Sequence, residues 1–221
     1  MNKRMVHAVL LASLVAAMAW SGYQPKERFT WVMETFPVII GVALMAAAYR
    51  RFEFTTLAYA LAWVFSLILA TGGHWTYAEV PIGFWVRDAF DLSRNHFDRL
   101  GHVFQGVIPA MFARELLIRT GGLKPGKWLF FICISIAVAI SAAYEMLEWQ
   151  YAVICGGDLA ESFLGSQGDP WDAQTDMFMA LLGAAASLAL LGKWHNRQIA
   201  RITSINQTIT TPEAPHGNAG T

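Results

Sequence analysis

The chain has 221 residues, 55% of them hydrophobic and only 14% charged, with 16 Lys and Arg balancing 16 Asp and Glu. Ordinary soluble domains are about 45–50% apolar and about 25% charged, so this composition points to a membrane protein. The zero net charge gives no support to nucleic-acid binding, and two cysteines, Cys133 and Cys155, form neither a disulfide framework nor a zinc pattern.

A bilayer crossing takes about 20 predominantly apolar residues. The apolar runs predict six transmembrane helices at roughly 6–22, 30–49, 54–71, 101–118, 128–149 and 172–192. The first run follows Lys3 and Arg4 and also resembles a signal peptide, with Ala17-Met18-Ala19 as a cleavage site. The closely following second run favours its retention as a span. The fold class expected is all-α, a polytopic helix bundle, with one membrane domain over 1–202. A polar tail, 203–221, is expected to be disordered.

Orientation follows from Lys and Arg. With the N-terminus in the cytoplasm, the inner segments hold ten of them: Lys3, Arg4, Arg50, Arg51, Arg119, Lys124, Lys127, Lys193, Arg197 and Arg201. The longer outer loops hold five, and the last outer loop, 150–171, holds none. The positive-inside rule then puts both termini in the cytoplasm. The outer loop 72–100 mixes Trp75, Tyr77, Phe84, Trp85 and Phe90 with polar residues, the pattern of an interfacial or re-entrant segment.

In that topology the ionisable residues gather near the outer leaflet. Asp98 and His102 begin the fourth span, Glu145 and Glu148 end the fifth, and Asp172 and Asp176 begin the sixth. Spacings of three or four put each pair on one helix face. Ionisable groups in membranes are costly and face protein interiors or water-filled cavities. Simple structural roles exist for some of them. Asp169-Pro170-Trp171-Asp172 reads as a helix start, Asp98 lies near Arg94 and Arg99, and Arg114 with Glu115 reads as a snorkelling, locally paired feature near the cytoplasmic surface. Glu145 and Glu148 fit such roles least well. They stand near a C-terminal helix end, where the macrodipole opposes them, and the following loop offers no cation. Gly183 to Ser187 form a small-residue patch suited to close helix packing.

These residues define the candidate site: Glu145, Glu148, Asp176, His102, Asp98 and Asp172. An oxygen-rich set with Glu145, Glu148, Asp176 and His102 as ligands suits magnesium or manganese, and zinc if His102 coordinates. A metal there would activate water; without one, crowded carboxylates would serve as general acid and base. The sequence has no phosphate loop, nucleophile elbow or HExxH motif.

The stretches GGHWTYAEVPIG (72–83), DRLGHVFQG (98–106), ARELL (113–117), YEMLEW (144–149) and FLGSQGDPWDAQTDM (163–177), with the Gly183 region, resemble the YjdF-like bacterial inner-membrane proteins. That resemblance covers nearly all of the chain except the tail. It implies a small polytopic inner-membrane protein and no particular activity. A weaker similarity reaches the VanZ-like membrane proteins, whose pattern is echoed by Asp98-Arg99, His102, Glu145, Asp172, Asp176 and Gly183, with Arg99 in place of the usual Lys. Three functions are expected to compete. The first is an envelope enzyme acting on a lipid-linked or amphiphilic substrate at the outer leaflet, with membrane lipids around it. The others are a proton-coupled transporter and a non-catalytic scaffold.

Overall fold

The computed structural model describes residues 2–157 and 164–210. Among them are seven α-helices: α1 (Lys3–Gly22), α2 (Arg28–Ala48), α3 (Thr56–Trp75), α4 (Pro81–Ala89), α5 (Phe97–Arg119), α6 (Lys127–Cys155) and α7 (Asp172–Thr210), with a 3-10 turn at Tyr77–Glu79. The chain is a polytopic helical membrane bundle. Five helices, α1, α2, α3, α6 and α7, are long and apolar enough to cross a bilayer. The sixth expected span is α5, whose 23 residues extend roughly 34 Å. Its polar residues are tolerable because α3, α6 and α7 surround it, with α7 as its most extensive neighbour.

Local chemistry sets the helix starts. The Asn2 and Thr55 side chains accept backbone N–H bonds from Arg4 (3.2 Å) and Ala58 (3.3 Å). Glu27 accepts from the amides of Phe29 and Thr30 at the start of α2. Each acceptor satisfies amide donors that the first helical turn leaves open.

The packing of α5 on α7 rests on glycine. A Cβ on Gly106 would collide with the Ala180 carbonyl, and one on Gly183 with the Val103 carbonyl. The small-residue patch beginning at Gly183 therefore does bring two backbones together. Beside this contact lies an apolar layer of Val107, Ala110 and Met111 from α5, Cys133 and Ala137 from α6, and Ala184 and Leu188 from α7, all buried.

The 72–100 region forms the 3-10 turn and amphipathic α4. The outer face of α4 exposes Ile82, Trp85 and Val86, followed by Phe90, as an interfacial helix does. Its inner face is anchored by buried Asn95, which donates to the Val80 carbonyl (3.0 Å) and accepts the Phe97 amide (3.0 Å). Lys3 and Arg201 line one cavity, so the start of α1 and the C-terminal part of α7 lie at the same end of the bundle. Helix α5 begins at Phe97, four residues ahead of expectation, and three helices end well past it. Helix α3 reaches Trp75, α6 continues to Cys155 and α7 runs to Thr210. Residues 211–221 of the tail, and 158–163 of the last outer loop, lie outside the described residues.

Candidate functional site

The three polar pairs meet. Measured at 1.5 Å per residue, His102 lies roughly 8 Å below the start of α5, Asp176 roughly 6 Å below the start of α7, and Glu148 roughly 10 Å before the end of α6. They occupy one layer, under a mouth held by two arginines. Arg99 donates to Asp172 Oδ1 (2.6 Å), to the Asp172 carbonyl (3.2 Å) and to Asp169 Oδ2 (3.2 Å), and also pairs with Asp176. Arg94 reaches Asp172 Oδ1 (3.0 Å) and the Gly165 carbonyl (3.0 Å). Asp169 acts as the expected cap, accepting from the Trp171 amide (2.9 Å). Asp172 is more than a capping acid, because both guanidinium groups converge on it.

His102 sits behind this mouth and is buried. Gln105 Oε1 accepts from the Ser141 hydroxyl (3.1 Å) and stands 2.9 Å from His102 Nδ1. An amide oxygen only accepts, so Nδ1 carries a proton. On the other edge of the ring, Nε2 faces Asp98 Oδ1 at 3.3 Å and Asp176 Oδ1 at 3.6 Å. A lone pair between two carboxylates is repelled from both, so this slot calls for a proton or a cation. Asp98, His102 and Asp176 offer ligand atoms within 4.8 Å of one another, the group among the described residues able to hold a metal ion.

The glutamates stand to one side of that group. Glu145 Oε1 is 3.5 Å from Nδ1, across the ring from the two aspartates. Glu148 lines a cavity of about 160 Å³ with Asp98, His102, Tyr77 and Tyr144. Because α6 extends to Cys155, Glu148 lies about two turns and Glu145 nearly three turns before its end, where the macrodipole has little effect. Burial and like charge are what make them unusual. Neither meets Arg94 or Arg99, whose ion pairs go to Asp169, Asp172 and Asp176.

Sequence reasoning missed Glu34. It is 3% exposed, lines the same cavity from α2, and lies beside the Tyr77 hydroxyl. A legible signal existed: Glu34 is an acid inside an otherwise apolar predicted span. Tyr77, expected at the interface, is buried against Gly72 and Gly101 and roofs the cavity.

The family model described as "Predicted membrane protein (DUF2238)" matches residues 6–197, including every residue of this site. The chain belongs to that family. Inner membrane protein YjdF of Escherichia coli (strain K12) is 45% identical over 189 residues, which cover 86% of this chain and 90% of the relative. No solved structure matches. This DUF2238 member is thus an integral, multi-pass protein of the bacterial inner membrane.

A second polar cluster corrects the expectation that Arg114 snorkels, while Glu115 does pair locally, with Arg119. Arg114 is buried and so does not snorkel, and Glu115 is fully buried. Glu115 accepts from the Thr55 amide (3.0 Å), the Thr55 hydroxyl (2.8 Å) and Arg119 (2.6 Å), and faces His195 Nε2 at 2.9 Å. Arg114 Nη1 is 3.1 Å from His195 Nδ1, and Nη2 donates to Asn196 Oδ1. Since guanidinium only donates, Nδ1 accepts and Nε2 carries the proton given to Glu115. Every member has a partner, which makes this cluster a tie between α3, α5 and α7.

Proposed function

We propose that this protein is an outer-leaflet membrane enzyme acting on an amphiphilic or lipid-linked substrate. His102, Asp98 and Asp176 are its reacting centre. The carrying observation is the slot at His102 Nε2, flanked by Asp98 and Asp176 on the wall of a cavity between helices. Asp98 is the group that reaches both sides. Its Oδ1 touches the imidazole, while Oδ2 is buried without a hydrogen-bond partner among the described residues. A proton taken at Oδ2 from a substrate hydroxyl or water can be balanced by the one shared with Nε2. A divalent cation in the slot would instead polarise a substrate oxygen or lower the pKa of water, with Asp98, His102 and Asp176 as ligands. Glu145 and Gln105 orient the ring from its Nδ1 edge. Arg99 holds Asp176, and together with Arg94 it fixes Asp172 at the mouth.

The outer-leaflet placement rests on the Lys and Arg distribution, which puts the opposite end of the bundle in the cytoplasm. The apolar layer of Val107, Met111, Cys133 and Leu188 favours a one-sided site over a carrier. It lies between the His102 cavity and the Arg114 cluster, and the buried Ser187 hydroxyl beside Leu188 is spent on the Ala184 carbonyl (2.9 Å).

Metal analysis of purified protein, beside growth of the deletion strain under envelope stress, tests the reading. Asp98→Asn and Asp176→Asn are expected to abolish complementation while leaving the protein folded, and to lower bound metal if the slot holds one. Full complementation by both variants, with metal content unchanged, would discard it.

A further inference from the structure

The cavity beside His102 has a chemistry of its own. Glu34 from α2 and Glu148 from α6 both line it, and both are more than nine-tenths buried. Asp98 also opens onto it, is 7% exposed, and leaves Oδ2 without a hydrogen-bond partner. The described ion pairs do not extend to Glu34 or Glu148; Arg99 is taken up by aspartates, and His102 lies between Asp98, Asp176 and Glu145. Carboxyl groups therefore outnumber cations around this space, and the surplus lies on its walls. Tyr77 and Tyr144 complete the lining with aromatic rings.

The cavity also has a way in. Helix α2 packs on α3, α3 on α5, and α5 on α6, yet among the described residues no extended packing joins α6 back to α2. A stack of Phe29 on Tyr151, with ring centroids 5.3 Å apart, bridges the two helices at the outer end. Below that stack the slot is bordered by Pro37 and Ile140, which line the cavity. Phe36 and Ile39 on α2 and Ile140 on α6 are exposed where lipid tails would lie. Ile140, which lines the cavity and is itself exposed, puts the gap between α2 and α6 on an apolar outer face of the bundle.

We infer that this cavity binds the ammonium group of a single-tailed amphiphile entering from the bilayer between α2 and α6, with Glu34 and Glu148 as its counter-ions. An ammonium donates in several directions to carboxylates and lies favourably against tyrosine rings. The apolar slot holds the tail, so head and tail are recognised by different parts of one passage. Anionic phosphate heads are disfavoured by the same surplus of carboxyl groups over cations. The inference rests on the proposed function in taking this occupant as the substrate's polar end, but binding itself requires no turnover.

The test uses full-length protein in dodecyl maltoside micelles and radiolabelled dodecylammonium as probe. Saturable binding is expected, displaced by unlabelled dodecylammonium but not by dodecyl sulfate, and displaced weakly by ethylammonium. Glu34→Gln and Glu148→Gln should each weaken binding about tenfold or more, the loss of one charged hydrogen-bond partner. Non-saturable binding, or affinity unchanged in both variants, overturns the inference. Equal competition by ethylammonium overturns the bilayer route. If one variant fails to fold, the other decides. Metal content of the same preparations separates the two readings, because loss of metal in Asp176→Asn bears on the His102 slot alone.

Discussion

Replacing Arg99 with Met exposes the electrostatic design of the outer mouth. Arg99 is 7% exposed and serves Asp169, Asp172 and Asp176 at once, the last of these 1% exposed. Methionine approximates the length of the stem but removes every donor. Arg94 retains Asp172 at 3.0 Å and Asp169 at 3.4 Å, so the unpaired group left behind is chiefly Asp176. Breaking a buried ion pair by deleting one partner costs about 3–5 kcal/mol. For a chain of this size that is a fall of roughly 6–20 °C in unfolding midpoint, at about 2–4 °C per kcal/mol. Thermal unfolding in detergent, followed by tryptophan fluorescence, reads it directly. Adding Asp176→Asn should recover part of the loss, with a coupling above about 1 kcal/mol. A cost below about 1 kcal/mol for Arg99→Met, or strict additivity of the two changes, would refute the assignment of Arg99 as the counter-ion of Asp176.

Three further outcomes follow from other parts of the molecule. Gly183→Val should cost about 3 kcal/mol, since the added carbon meets the Val103 backbone and cannot be accommodated by a rotamer change; a midpoint within a degree of wild type would contradict the packing. His195→Phe should cost about 3 kcal/mol by removing the Glu115 donor and the Arg114 acceptor, with His195→Gln recovering part of it in the same melts. His96, just outside α5, is held below the ordinary histidine value of 6.5, first by burial and then by Arg94 and Arg99. The unfolded chain therefore binds more protons there. Its contribution to stability is present above pH 6.5 and lost as pH falls through the lower folded value. NMR titration should give a midpoint below 6.5, rising in Arg94→Gln, and an unshifted midpoint in both proteins would be the contrary result.

Much of the fold was legible in the sequence because the bilayer imposes it. Each crossing must satisfy its own backbone hydrogen bonds, so a run of about 20 apolar residues has few alternatives to a helix. The starts of α2 and α7 fell within two residues of expectation for that reason. The end of α6 was placed too early because Glu145 and Glu148 interrupt the apolar run. Buried acids look like a helix terminus when hydropathy alone is read. The same interruption marked them as site residues.

The i, i+3 and i, i+4 spacings also determined that each polar pair shares a face, which is a property of one helix. What those faces meet is a property of several. Only the tertiary structure decided that Asp98 and Asp176 share the Nε2 edge of His102, that Glu145 stands by Nδ1, and that Glu148 shares a cavity with Glu34. It also decided that Arg114 and Glu115 are buried with His195, from a helix 80 residues away in sequence. Helix rotation and depth set these contacts. Both depend on where glycine lets α5 and α7 approach, and the periodicity of a single segment does not encode that.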